Sequence, residues 1–293
     1  MKQELTLGDR LFDYFIYAVL LALVLATVYP LLYVVLASMS DAGQLVAHKG
    51  ILWKPLGFSM EAYTSVMGNP GILTGYRNTL FILVAGVSVN LLMTALGAYV
   101  LSRKHVLWNK TFMLIIVITM FFHGGLIPTY LVVKNIGLLD SLWALIIPFA
   151  VSSFNLIIMR TAFMGIPDSL EESAKIDGAN HFVILFRIII PLSMPVIAVM
   201  VLYYAVDKWN AWFYASVFIK SRDLFPLQLI LREILIANST DSMSAGADAG
   251  DRFQIAETIK YATIVVATLP VLGIYPFVQK YFVKGVMVGS LKG

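Results

Sequence analysis

No cysteine occurs among the 293 residues, and charge is scarce: Asp, Glu, Lys and Arg together make up 13% of the chain, against 59% for hydrophobic residues. The first absence excludes disulfide frameworks, thiolate zinc sites, cysteine-ligated clusters and cysteine nucleophiles. The second excludes an ordinary soluble domain, which carries roughly 25% charged residues to clothe its surface. The four histidines, His48, His105, His123 and His181, are far apart and form no His-x-x-x-His pair, so no metal site is expected. A net charge of +4 without a basic stripe leaves no surface for nucleic acid.

Long apolar runs are abundant instead, and mean hydropathy is +0.84. A helix needs about 20 apolar residues to cross a hydrocarbon core roughly 30 Å thick. Six runs meet that length, at about 14–37, 79–101, 112–133, 142–162, 191–219 and 261–282. They are continuous, unlike the alternating segments of about 10 residues in a membrane barrel. The expected fold is therefore all-α: a polytopic membrane protein with six transmembrane helices, forming one domain over 1–293. The first run follows a polar start with Lys2 and Arg10. Its length of about 24 residues exceeds the apolar region of a signal peptide, so it reads as an uncleaved span, with cleavage after Ala37 as the alternative. Gly86, Ala95 and Gly97 would let helices approach closely.

Six spans place both termini on one side. Lysine and arginine favour the cytoplasm in short loops. With the termini inside, eleven of these residues lie inside and nine outside, and the Arg103-Lys104-His105 cluster is the strongest local marker. Two long outer segments follow, 38–78 and 220–260. The second contains a polar stretch, 238–252, whose composition predicts mobility. The one sizeable cytoplasmic loop is 163–190.

That loop contains Gly165-Ile-Pro-Asp-Ser-Leu-Glu-Glu-Ser-Ala-Lys-Ile-Asp-Gly178-Ala-Asn180. Ser169 and Glu172 have the Ser-x-x-Glu spacing of a capping box. Asp168, Glu171 and Glu172 put negative charge at the positive end of the helix dipole. Gly178 can take the left-handed position that stops a helix, and Asn180 can start another that feeds into the fifth span. Capping alone marks an ordinary surface helix in many proteins. The wider spacing is more specific. Glu172-Ser173-Ala174, three residues, Gly178, nine residues, Ile188, then Ile190-Pro191 resembles the EAA loop of ATP-binding-cassette importer permeases, with Ser173 and Ile190 as conservative departures. Asp177-Gly178-Ala179 and Trp209-Asn210 are similar to forms common in the sugar-importing branch, and the ending 282–293 is similar to the tail of oligosaccharide permeases.

The resemblance implies a role for each matched residue. The helix over 169–178 would be the coupling helix, seated in a cleft on a cytoplasmic ATPase subunit. Glu172 would be its charged anchor, Ala174 would permit close backbone approach, and Gly178 would fix the turn towards span five. Gly289, Ser290, Leu291 and Lys292 would form a second contact to the ATPase, or a frayed basic terminus. The partners implied are a second homologous permease, two ATPase subunits and an extracellular lipid-anchored sugar-binding protein, all at a bacterial cytoplasmic membrane. ATP and magnesium would belong to the ATPase, because this chain has no Gly-x-x-x-x-Gly-Lys-[Ser/Thr] phosphate loop. No cofactor, metal or catalytic residue is expected here.

Polar groups inside spans are the candidates for contact with cargo. Asp207-Lys208-Trp209-Asn210, with Trp212, Tyr203 and Tyr204, offer charge and rings on which sugars stack; helix–helix contact is the plain alternative. Asn155 is a further candidate. Asn90 is another, though lone asparagines such as these two more often bridge helices, and His123-Gly124-Gly125 marks an irregular segment rather than a ligand site. Two other readings compete: a permease of the same type for another solute such as glycerol phosphate, and an ion-driven secondary transporter. The latter would show internal repeats and broken spans with midplane charges; apart from Asp207 and Lys208 the sequence contains no such set.

Overall fold

The computed structural model describes residues 7–244 and 257–273, and every regular element among them is helical. The described chain divides into two compact units, one of residues 1–69 with 233–269 and one of 70–232 with 270–293.

In the first unit, α1 (Leu7–Ser38) is apolar throughout and carries Pro30. Its most apolar stretch has no buried residue, which is what a span facing lipid requires. Only its C-terminal end packs: Ala37 meets Leu45 and Leu52, with Tyr33, Leu56 and Tyr261 around them. The outer segment that follows is not irregular. It holds α2 (Ala42–Ala47), capped by the Asp41 carboxylate at the Gln44 amide, and α3 (Glu61–Met67).

In the second unit, α4 (Pro70–Ser102) is the axis. Its 33 residues extend about 50 Å, so it starts well before the apolar run that betrays it. Val87, Ala95, Ala98 and Tyr99 on one side of α4 pack against Met159 and Phe163 of α7 (Ser153–Met164), and against Met200 and Tyr204 of the Met194–Trp209 helix. Gly97 is one place where this approach needs a missing side chain: a Cβ there would lie 2.9 Å from Leu156 Cδ1.

Among the described residues, two helices are long and apolar enough to span a membrane unbroken, Gly8–Ser38 and Pro70–Ser102. The third, fourth and fifth expected spans are not straight helices, and each break has a local cause. The third splits into α5 (Asn109–Phe121) and α6 (Leu126–Asn135), bent by 116°. Gly125, at φ +84°, makes that reversal, as the His-Gly-Gly segment led one to expect. The fourth is a 3₁₀ stretch over Leu142–Phe149 followed by α7 at 50°. Pro148 lacks an N–H to continue the first piece, and Ser152 caps the second through the Asn155 amide. In the fifth, a helix over His181–Leu192, partly π-helical at Leu185–Ile189, turns through 88° into Met194–Trp209. Pro191 and Pro195 flank that elbow. The helix then stops at Trp209, and Phe213–Phe218 forms a separate turn and a half. Broken spans, expected only of a secondary transporter, are thus present here.

The sixth expected span begins in a helix described over 257–273; 274–282 lies outside the described residues, as does the tail Gly289–Lys292. The stretch 238–252, expected to be mobile, enters the helix Leu227–Ser244 over its first seven residues, and 245–252 lies outside the described residues.

Candidate functional site

Two places concentrate polar groups: the C-terminal end of α4, where the loop helix is held, and a cleft beside the broken fourth span.

The loop helix is α8 (Asp168–Ile176). It starts two residues earlier than a capping box at Ser169 would place it. Pro167 occupies the cap position and contributes no side-chain bond, so Ser169 lies inside the helix and cannot cap it. Asp168, in the first turn, pairs with Lys104 at 3.0 Å. The other end is as expected. Gly178 adopts φ +82°; its N–H donates to the Lys175 carbonyl at 3.0 Å, and the Ala179 N–H donates to the Ala174 carbonyl at 2.9 Å. These paired bonds make a Schellman stop. Asn180 then caps the next helix at the Val183 amide, 2.9 Å away.

α8 is fastened to α4 by buried charge. Arg103 Nη1 donates to Glu171 Oε2 at 2.5 Å, with both side chains 6% exposed. Arg103 Nη2 donates to the Phe163 carbonyl and Nε to the Ser102 hydroxyl. Lys175 donates to the other Glu171 oxygen at 2.9 Å, and the Tyr99 hydroxyl reaches the same oxygen at 3.4 Å. Tyr99 also meets His181 Nδ1 at 3.0 Å, so the helix His181–Leu192, which leads into the elbow, is tied to the same knot. Asn109 and Arg160 satisfy the freed carbonyls of Leu101 and Arg103 at the end of α4.

Burial pushes the Glu171 pKa up, but the Lys175 hydrogen bond and the Arg103 and Lys175 charges outweigh it and hold the carboxyl below its ordinary range. Asp168 is likewise lowered, by the hydrogen bond and charge of Lys104. For a lowered carboxyl, the stabilisation is present above the unfolded pKa and is lost as pH falls through the folded one. The knot is therefore intact at neutral pH and weakens only in acid. The exposed Lys104–Asp168 pair adds little by itself.

The expected residues of the loop separate by face. Ser169, Glu172, Ser173, Asp177 and Gly178 are exposed, along with Leu170 and Ile176, the latter 87% exposed. Ala174 points the other way: expected to face a partner, it is buried in this chain's own core with Phe163 and Ile184. Ala179 and Ile188 are half-buried against that core, and Pro191 is exposed beside the elbow. The sequence reading missed Glu171 as the holding residue, and Arg103 only marked orientation there. The two are 68 positions apart, and no spacing rule connects them.

The cleft has a volume of about 690 Å³ and is lined by Thr119, His123, Phe149, Ser152, Asn155, Tyr203, Tyr204, Asp207 and Tyr214, among others. Four of the seven candidates thus come together: Asn155, Tyr203, Tyr204 and Asp207. Trp209 is buried away from it, and Trp212 carries the Arg232 guanidinium 4.1 Å from its ring centre. Asn210 lines an adjoining cavity instead, and its amide donates to the Val206 carbonyl. His123, read only as part of an irregular segment, lines the cleft because the reversal at Gly125 places it there.

The wall of the cleft is the break in the fourth span, and its backbone needs partners because no water is available in hydrocarbon. Three side chains supply them. Asn90 donates to the Phe149 carbonyl at 2.6 Å, Lys208 donates to the Leu145 carbonyl at 2.9 Å, and the Tyr204 hydroxyl accepts from the Ser152 amide at 3.3 Å while bonding Thr94 at 2.7 Å. A lysine at a span centre costs roughly 2.5–3.5 kcal/mol on insertion scales, so Lys208 is there for a reason.

At the far end of α4 the loops are joined by side chains. Asn78 donates to the carbonyls of Asp223 and Phe225, and Thr79 accepts from the Leu227 amide. Asp140 accepts from the amides of Lys220 and Ser221 and from the Ser221 hydroxyl. Asp140→Ala is expected to expose this junction: trypsin should cut after Lys220 or Arg222 several times faster than in the unaltered protein, and an unchanged rate would show that the junction holds without the carboxylate.

These features, broken apolar helices around a polar cleft and an outward-facing loop helix clasped to them, define a membrane transport component. The chain belongs to the family described as the binding-protein-dependent transport system inner membrane component, whose model matches residues 95–288. The polygalacturonan/rhamnogalacturonan transport system permease protein YtcP of Bacillus subtilis is 44% identical to it over 97% of this chain and 99% of its own length. The LplC protein of the same organism is 42% identical over 91% of this chain and 90% of its own. A solved chain from a bacterial ABC transporter involved in the import of the acidic polysaccharide alginate is 33% identical, with a TM-score of 0.87, covering 96% of this chain and 100% of that one.

Proposed function

We propose that this chain is a transmembrane permease subunit of an ATP-binding-cassette importer, forming part of the path for an oligosaccharide and coupling its passage to ATP hydrolysis by a partner. The observation that carries the reading is α8: a short helix stopped by Gly178, clasped to α4 through Glu171, and presenting Leu170, Glu172, Ser173 and Ile176 to solvent. In a family of binding-protein-dependent transporters, that face is the seat for a cytoplasmic ATPase subunit. Movement of α8 as the ATPase closes on ATP then passes to α4 through the Arg103–Glu171 pair and to the fifth span through the elbow helix. Coupling requires that the ATPase contact α8 differently in its two states. The chain itself supplies no catalytic group; ATP and magnesium are bound by the partner.

Six membrane spans with both termini in the cytoplasm agree with this reading, as does the Arg103-Lys104-His105 cluster beside α8. The partners are a second homologous permease, two ATPase subunits and an extracellular lipid-anchored sugar-binding protein, with Gly289–Lys292 as a second ATPase contact. A saccharide cargo is supported by the polysaccharides named for YtcP and for the alginate transporter, and by hydroxyl-seeking groups in the cleft, Asn155, Tyr203 and Asp207. Affinity purification in mild detergent is expected to recover an ATPase with a phosphate loop, a second permease and the binding protein. In liposomes, uptake should require both ATP and the binding protein. Uptake by this chain alone, without ATP, would overturn the reading.

A further inference from the structure

Lys208 has only part of its donor capacity used. Its side chain is 3% exposed, and one N–H donates to the Leu145 carbonyl at 2.9 Å. An ammonium has three N–H groups. The ion pairs Arg103–Glu171, Lys104–Asp168 and Lys175–Glu171 do not include Lys208. Its stem packs closely on Gly86, where a Cβ would lie 3.3 Å from Lys208 Cε. The Phe149 ring centre lies 5.6 Å from Nζ, and the neighbouring Asp207 charge also acts on the ammonium.

This ammonium lines a cavity of about 400 Å³, together with Leu145, Phe149, Ala211 and Phe213. Asp207, Phe149 and Tyr214 line both this cavity and the larger cleft, so the two adjoin. Asp207 acts on its neighbour through space but forms no direct ion pair with it. Consecutive helical positions point about 100° apart, and Asp207 is exposed to the cleft rather than paired with Lys208. A buried lysine beside a cavity of about 400 Å³ thus stands outside the ion pairs seen among the described residues.

We propose that this cavity is a carboxylate subsite, in which the Lys208 ammonium pairs with the acid group of a uronate-bearing oligosaccharide. The proposal rests on the reading of this chain as a saccharide permease. The charge-assisted hydrogen bond would form at the buried side of a cavity that Asp207 and Asn210 also line, where it is stronger than in open water. The hydroxyl groups of the same sugar meet Asp207, Asn155 and Tyr203 in the larger cleft. Specificity arises because a neutral sugar entering the subsite leaves the cation uncompensated, whereas a uronate satisfies it.

The test uses the purified importer complex without nucleotide or binding protein. It is titrated calorimetrically with trigalacturonate and with its fully methyl-esterified counterpart, which keeps the rings and removes the charges. The acid is expected to bind roughly tenfold or more tightly than the ester, the worth of one charge-assisted hydrogen bond. Lys208→Gln keeps an N–H for the Leu145 carbonyl but removes the charge, and should bring the two affinities together. Lys208→Arg should preserve the preference. Equal affinities in the unaltered complex, no binding of either trimer, or a preference that survives Lys208→Gln would overturn the proposal. ATP-driven uptake of whatever saccharide the binding protein delivers is measured on the same preparation. Absence of any such uptake counts against the permease reading, whereas normal uptake with a charge-blind cleft counts against the Lys208 subsite alone.

Discussion

Glu171→Gln is expected to abolish most ATP-driven uptake while leaving the protein inserted in the membrane. The substitution removes the charge that Arg103 Nη1 meets at 2.5 Å and leaves the guanidinium buried against a carbonyl and a hydroxyl. Breaking a buried pair by removing one partner costs about 3–5 kcal/mol. If a third of that appears as loss of α8 registration on α4, uptake falls roughly tenfold. The decisive readout is the number of ATP molecules hydrolysed per sugar imported, which should rise because the ATPase turns over against a loosened helix. The exchanged pair Arg103→Glu with Glu171→Arg should recover part of the loss, giving a measurable interaction energy. Glu171→Gln with an unchanged ratio would mean that the pair serves stability alone.

The second large effect is expected at Gly178. Its φ of +82° is closed to proline, whose ring fixes φ near −65°, and proline also lacks the N–H that Gly178 donates to Lys175. Gly178→Pro should therefore undo the end of α8 and the placement of Asn180, which starts the next helix. Uptake should be lost, and the isolated protein should still insert, because no membrane helix is touched. Gly178→Ala is the graded comparison. A left-handed alanine costs about 1–2 kcal/mol, so uptake should fall partially and recover on cooling or with excess ATPase. Normal uptake by Gly178→Pro would show that the stop of α8 does not transmit motion.

The loop was legible because its signals are local. Gly178 is read from the need for a left-handed residue after a helix, and Asn180 from the preference for a short polar acceptor at a cap. The capping box at Ser169 misled for the same reason: its spacing is local, and the helix begins instead at Asp168, whose carboxylate meets Lys104 sixty-four positions away. The substrate-path residues were half legible. Polarity within an apolar run marks Asn155, Tyr203, Tyr204 and Asp207, yet the same polarity marked Trp209 and Trp212, whose side chains face elsewhere.

By itself, the sequence determined the solvent and the helical state of this protein. A chain with 13% charged residues and long apolar runs must satisfy its backbone internally in lipid, and helices do so within each segment. It also determined the stop of α8 and its charged first turn. The tertiary structure decided which charges are buried and what they hold. Arg103 finds Glu171, Lys208 finds the Leu145 carbonyl, and Asn90 finds that of Phe149 only after the fourth span breaks and the helices close around it. The physical reason is that burial and pairing are properties of distance in space, whereas hydropathy, caps and turns are properties of neighbours along the chain.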